Sequence, residues 1–126
     1  MKKIIRFLPS IIWMGIIFYF SSRQTTGIGG NSYWWRFIIL KFFHIAEYGV
    51  LSILIFYATN NYFSSIFISF IYALSDEFHQ SFIIGRTATI RDVFFDLSGI
   101  FLGLLVLSIL LNLTPIKKFV LLKKIK

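Results

Sequence analysis

Cysteine is absent from the 126 residues. That excludes a disulfide framework, a thiolate zinc site and a thiol nucleophile. Charge is also scarce: 14% of residues are charged, against roughly 25% in a soluble domain. Only five side chains are acidic. What fills the chain instead is apolar, 57% hydrophobic and 20% aromatic, with a mean hydropathy of +0.79. Such a chain has too little polar surface to cover itself in water, and lipid is its natural solvent. The length suits one domain, and neither a sequence repeat nor a low-complexity segment interrupts it.

The formal net charge is +8, but its distribution does not describe a nucleic-acid surface. Lys2, Lys3 and Arg6 lie at one end, and Lys117, Lys118, Lys123, Lys124 and Lys126 at the other. Basic ends flanking apolar runs are what the positive-inside rule produces. No nucleic-acid-binding motif accompanies the charge, so nucleic acid is not an expected partner.

A membrane helix needs about 20 mostly apolar residues. Four runs qualify, at about residues 4–21, 37–59, 62–84 and 93–113. The breakers between them are Ser21-Ser22-Arg23-Gln24-Thr25-Thr26 with Gly27, Gly29, Gly30 and Asn31, then Asn60-Asn61, then Gly85-Arg86-Thr87-Ala88-Thr89. Thr114-Pro115 ends the last run, and a basic tail, 114–126, follows. Lys2 and Lys3 before an apolar run resemble the start of a signal peptide. However, Ser21-Ser22-Arg23-Gln24 offers no small-x-small cleavage site, so the segment is expected to stay as the first span. The expected fold is all-α: a polytopic four-helix membrane bundle forming one domain over residues 1–126.

Orientation follows from charge. The two ends carry eight basic residues. The first and third loops carry Arg23, Arg36, Arg86 and Arg91, with Lys41 at a helix start. Both termini are therefore expected inside, N-in/C-in, with the lysine tail against the anionic inner leaflet.

The polar residues within the runs then fall at one depth, on the outer side. His44 and Glu47 lie near the outer start of the second helix. Asp76, Glu77, His79 and Gln80 lie near the outer end of the third, and Asp92 and Asp96 at the start of the fourth. Helical spacing groups His44 with Glu47 and Tyr48, Asp76 with His79 and Gln80, and Asp92 with Asp96, Gly99 and Gly103. Gly99-x-x-x-Gly103 permits close helix approach. Ionisable residues inside a span face the bundle or a water-filled cavity and mark function by default. The blander readings make Asp92 an N-cap, Arg86 and Arg91 snorkelling anchors, and Trp34, Trp35, Tyr33 and Tyr62 an interface belt. Four ionisable groups on three helices, Glu47, Asp76, His79 and Asp96, exceed what packing alone needs. They are expected to converge with His44, Arg86 and Asp92, with Arg86 or Arg91 pairing to Asp76, Asp92 or Asp96.

Ser75-Asp76-Glu77-Phe78-His79-Gln80, then Gly85-Arg86-Thr87, then Asp92 and Asp96 before Gly99, resembles the signature of the VanZ-like membrane proteins. Phe20-Ser21-Ser22 and Lys41-Phe42-Phe43-His44-Ile45-Ala46-Glu47-Tyr48-Gly49 resemble two earlier blocks of that family. The resemblance covers residues 18–103. Ser98 before Gly99 is a small departure. What the resemblance implies is a multi-pass protein of a bacterial cytoplasmic membrane. The family's namesake is associated with resistance to the glycopeptide teicoplanin, and no settled reaction comes with the fold.

Three functions compete. The first is an envelope-facing module that binds or acts on an anionic amphiphile, either a membrane lipid or a lipoglycopeptide. Arg86 and Arg91 would hold a phosphate or carboxylate, Asp76, His79 and Glu47 would handle protons, and Ser22, His44, Gln80, Asp92 and Asp96 would complete the site. The second is a metal-binding membrane enzyme, with ligands among His44, Glu47, Asp76, His79 and Asp96. The Asp/Glu–His pairs at i, i+3 resemble the carboxylate–histidine pairs of bundle metal sites. The third is a non-catalytic structural module in which the polar groups join helices. A transporter is disfavoured, because four spans would have to oligomerise to supply two gated halves. Neither a cofactor nor an oligomeric state can be read from the residues.

Overall fold

The computed structural model describes residues 2–24, 30–86 and 88–113. Gly27 and Gly29 of the first loop, Thr87 and the tail from Thr114 lie outside them. The described chain forms α1 (Lys2–Ile5), α2 (Leu8–Ser21), α3 (Tyr33–Thr59), α4 (Tyr62–Gln80) and α5 (Ile90–Leu113), with no strand among the described residues.

The breaks follow local chemistry. Pro9, in the first turn of α2, lacks an N–H, and in a continuous helix its ring would strike the carbonyl four residues back, that of Ile5. The chain therefore tightens between α1 and α2, where Arg6 and Phe7 donate to carbonyls three residues back. The two helices still form one apolar segment, Lys2–Ser21, of spanning length. The second run begins four residues before the expected start, because the Ser32 side chain accepts from the Trp35 N–H as an N-cap. Tyr33, Trp34, Trp35 and Arg36 thus form the first turn of α3. Asn60 closes α3 in the left-handed region at φ 52°, and Asn61 opens α4 by accepting from the Ser64 N–H.

The third helix ends at Gln80, short of the expected residue 84. Phe82 and Ile83 bond back only three residues, and Gly85 turns the chain at φ 84°, a conformation glycine adopts without cost. The fourth helix starts at Ile90, ahead of the expected 93. Asp92 is consequently inside its first turn and is not its N-cap.

Cross-helix pairs give the packing. Lys41–Asp92, His44–Asp96, Ile45–Gly99 and Gly49–Gly103 rise together, so α3 and α5 run parallel, and their contact is the most extensive in the fold. Its basis is glycine. A methyl on Gly99 would lie 2.9 Å from Ile45 Cα, and one on Gly103 2.7 Å from Gly49 Cα. Pairs Met14–Tyr72 and Ser21–Gln80 set α2 parallel to α4. The bundle alternates up and down.

Its polarity is inverted relative to a water-soluble domain. Buried positions hold Ser10, Ser52, Ser65, Ser69, His44, Asp76, Glu77 and Asp96 among a few apolar residues such as Tyr48, Leu51, Ile55 and Ile100. Outward positions hold Phe63, Phe67, Phe94, Phe101, Leu105 and Leu110. Ser52 donates to the carbonyls of Gly49 and Ile100, and Ser65 to that of Ser52. Hydroxyls thus join the helices where apolar side chains gain nothing over lipid. Three segments, Lys2–Ser21, Tyr33–Thr59 and Ile90–Leu113, are long and apolar enough to cross a membrane. α4 is less apolar because Ser65, Ser69, Asp76, Glu77 and Gln80 line its buried face. Its 19 residues rise about 28 Å at 1.5 Å each, close to the roughly 30 Å of a hydrocarbon core.

Candidate functional site

The parallel register of α3 and α5 places two ionic rungs at one end of the bundle. Lys41 forms an ion pair with Asp92, and one turn deeper His44 Nδ1 lies 2.7 Å from Asp96 Oδ1. Asp96 is 0% exposed. Lys41 also lies 5.5 and 5.4 Å from the ring centres of Phe37 and Phe95, a favourable setting for a cation.

α4 brings a second network. Asp76 Oδ2 accepts from the Tyr48 hydroxyl at 2.9 Å and from Gln80 Nε2 at 3.0 Å, and Gln80 also donates to Ser21 Oγ at 3.1 Å. His79 turns away from this buried face. Its Nε2 lies 3.0 Å from Ser22 Oγ, and its ring stacks on Phe18 at 4.5 Å. The grouping of Asp76, His79 and Gln80 on one stripe is therefore corrected. The buried face of α4 runs in steps of four through Ser65, Ser69, Ala73 and Glu77, flanked by Asp76 and Gln80, and His79 belongs to the α2 side.

The arginines also differ from expectation. Arg86 Nη1 donates to the carbonyls of Phe20 at 2.9 Å, and of Ser21 and Arg23 at 3.3 Å each. It caps the C-terminal end of α2, whose last carbonyls have no helical partner and attract a cation. Arg91 is exposed and lies 5.1 Å from the Phe37 ring centre. Lys41 takes the pairing expected of them, because it stands one turn above His44, as Asp92 stands one turn above Asp96.

Glu77 is the residue the sequence reading passed over. It is 7% exposed, and neither carboxylate oxygen has a hydrogen-bond partner. Asp76 Oδ1 and Asp96 Oδ2 are buried and unpartnered as well. One ligand atom each from His44, Glu77 and Asp96 lies within 4.8 Å of the other two. Of the five expected metal ligands, His44 and Asp96 belong to this cluster. Glu47, Asp76 and His79 do not. The overlooked signal was the four-residue step from Ser65, Ser69 and Ala73 to Glu77.

Two cavities meet at this end. One, of about 240 Å³, is basic, with Arg36, Lys41, Arg86 and Arg91 in its wall alongside Gln80 and Asp92. The other, of about 430 Å³, is a mainly apolar groove between α2 and α3, walled by Trp13, Ile16, Phe43 and Val50, with Arg23 and Glu47 at its polar side. His44, Leu40 and Arg86 line both.

The family model described as VanZ/LLP1 matches residues 6–111. The chain belongs to the VanZ/LLP1 family. Neither the curated proteins nor the solved structures gave a significant match. In this VanZ/LLP1 chain the family match extends from ahead of α2 to the last turns of α5, so every helix that contributes to the polar end falls within it.

Proposed function

We propose that this VanZ/LLP1 protein holds an anionic amphiphile at the outer face of a bacterial cytoplasmic membrane. The head group would sit in the basic cavity and the tail in the groove between α2 and α3. The observation that carries this reading is the pair of adjoining cavities, one basic and one apolar, that share His44, Leu40 and Arg86. Guanidinium groups match phosphate and carboxylate geometry, and binding sites are concave, mostly apolar and fitted with a few placed polar groups. His44 lines both cavities and Glu47 the groove beside it, so His44 is the titratable group that would meet a bound head group.

Farnesyl phosphate, farnesol and a zwitterionic phospholipid serve as probes for purified protein in neutral detergent, with binding read by native mass spectrometry. The phosphate is expected to bind at least tenfold more tightly than the alcohol. The double variant Arg23→Gln/Arg91→Gln is expected to lose about tenfold, or 1.4 kcal/mol. Equal affinity for alcohol and phosphate would sink the reading. Teicoplanin, a glycopeptide with an acyl tail, has the same combination of features. If it is a ligand in cells, expression of the wild-type chain raises the inhibitory concentration and the double variant does not.

The outward orientation has its own check. A reporter fused after Lys126 is expected in the cytoplasm, and one inserted beside Gly30 outside. The reverse pattern in both would turn the site to the cytoplasm.

A further inference from the structure

We propose that His44, Glu77 and Asp96 bind one divalent transition-metal ion, of the zinc or manganese class, in the interior of the bundle. This site shares His44 with the amphiphile cavities, but Glu77 and Asp96 line neither, and binding of the ion does not require the amphiphile. Three observations combine. One ligand atom from each residue lies within 4.8 Å of the others, and all three residues are buried. Both Glu77 oxygens and Asp96 Oδ2 have no hydrogen-bond partner, so acceptors for a cation are present and unengaged. The nearby cation Lys41 is already engaged, by Asp92.

The chemistry of the set points to the metal class. One imidazole and two carboxylates form a mixed N/O set suited to zinc or manganese, and the absence of thiolate disfavours softer ions. Zinc donors at about 2.0–2.2 Å from the ion stand roughly 3–4 Å apart, so only a small contraction of the cluster is needed. Asp96 Oδ1 already holds the His44 ring at 2.7 Å. A metal at Nδ1 replaces this contact with a direct bond. His44 lines both cavities, which gives the ion a way in. The three ligands come from α3, α4 and α5, so the ion would tie together three helices.

The test uses full-length protein in neutral detergent, stripped with chelator, then titrated with Zn²⁺ and separately with Mn²⁺. The expected result is saturable binding of about one ion per chain, with a higher melting temperature on loading. X-ray absorption should show one imidazole and otherwise oxygen ligands. Glu77→Gln and Asp96→Asn are expected to weaken binding at least tenfold, and His79→Gln to leave it unchanged. No saturable binding of either ion to wild type, or a spectrum with two imidazoles, would overturn the proposal, as would loss of the ion in His79→Gln with retention in Glu77→Gln. If the Glu77 and Asp96 variants fail to fold, the wild-type stoichiometry and ligand spectrum decide.

Discussion

Gly103→Ala is expected to destabilise the bundle severely, although alanine is the better helix former. The new methyl would lie 2.7 Å from the Gly49 Cα and 2.8 Å from its carbonyl carbon. These atoms belong to the α3 backbone and cannot swing aside as a side-chain tip can. The helices must separate, and the parallel register behind both ionic rungs loosens with them. Overpacking a tight core costs about 1–3 kcal/mol and occasionally more, and a backbone-to-backbone seam belongs at the upper end. Gly15→Ala is the control. It meets nothing within 4 Å, so the change should stabilise α2 slightly, by up to about 1 kcal/mol. Thermal unfolding in detergent should show a large drop for Gly103→Ala and none for Gly15→Ala. Equal melting temperatures would mean that α3 and α5 are not packed backbone to backbone.

The glycine seam was legible as Gly99-x-x-x-Gly103, but its partner Gly49 was not, because a spacing identifies a face and not what meets it. The same limit runs through the site. Membrane helices, their number and the shared depth of the polar residues follow from hydropathy and turn residues, since an inserted charge is costly at any rotation of a helix. Which polar residues touch depends on rotation and register. Arg86 was readable as a phosphate ligand or an anchor. It instead reaches the carbonyls that end α2, and where a helix ends against a neighbouring loop is a tertiary fact. Glu77 and His79 exchanged places for a related reason: adjacent helical residues diverge by about 100°, so Asp76 borders two faces, one shared with His79 and one shared with Glu77 and Gln80, and only burial chooses between them. The serines of α4 held the information that would have chosen, because small polar residues mark the face that packs on other helices.

Asp76→Leu is the second substitution expected to have a large effect, and its partner variants show why. Asp76 Oδ2 accepts from Tyr48 and Gln80. Removing the carboxylate leaves a buried phenol and a buried amide without that acceptor. An unsatisfied buried group costs about 1–3 kcal/mol, so the loss should reach roughly 2–5 kcal/mol, partly relieved by the bond Gln80 keeps with Ser21. Tyr48→Phe removes the donor itself and leaves Asp76 still bonded to Gln80, so it should cost only about 1 kcal/mol. The double variant Tyr48→Phe/Asp76→Leu should then be more stable than Asp76→Leu alone, because the phenol no longer lacks a partner. Melting temperatures of the four proteins in one detergent give the coupling directly. Strict additivity would show that the Tyr48–Asp76 bond contributes nothing to the fold. The Gln80 bond and the unpartnered Asp76 Oδ1 would then have to account for the residue. Asp76→Asn separates the two roles, since it keeps the shape and one acceptor oxygen while removing the charge. A purely structural Asp76 predicts that amphiphile binding and the cellular effect both survive in the amide variant. A proton-handling one predicts a folded protein that binds and has lost its cellular effect.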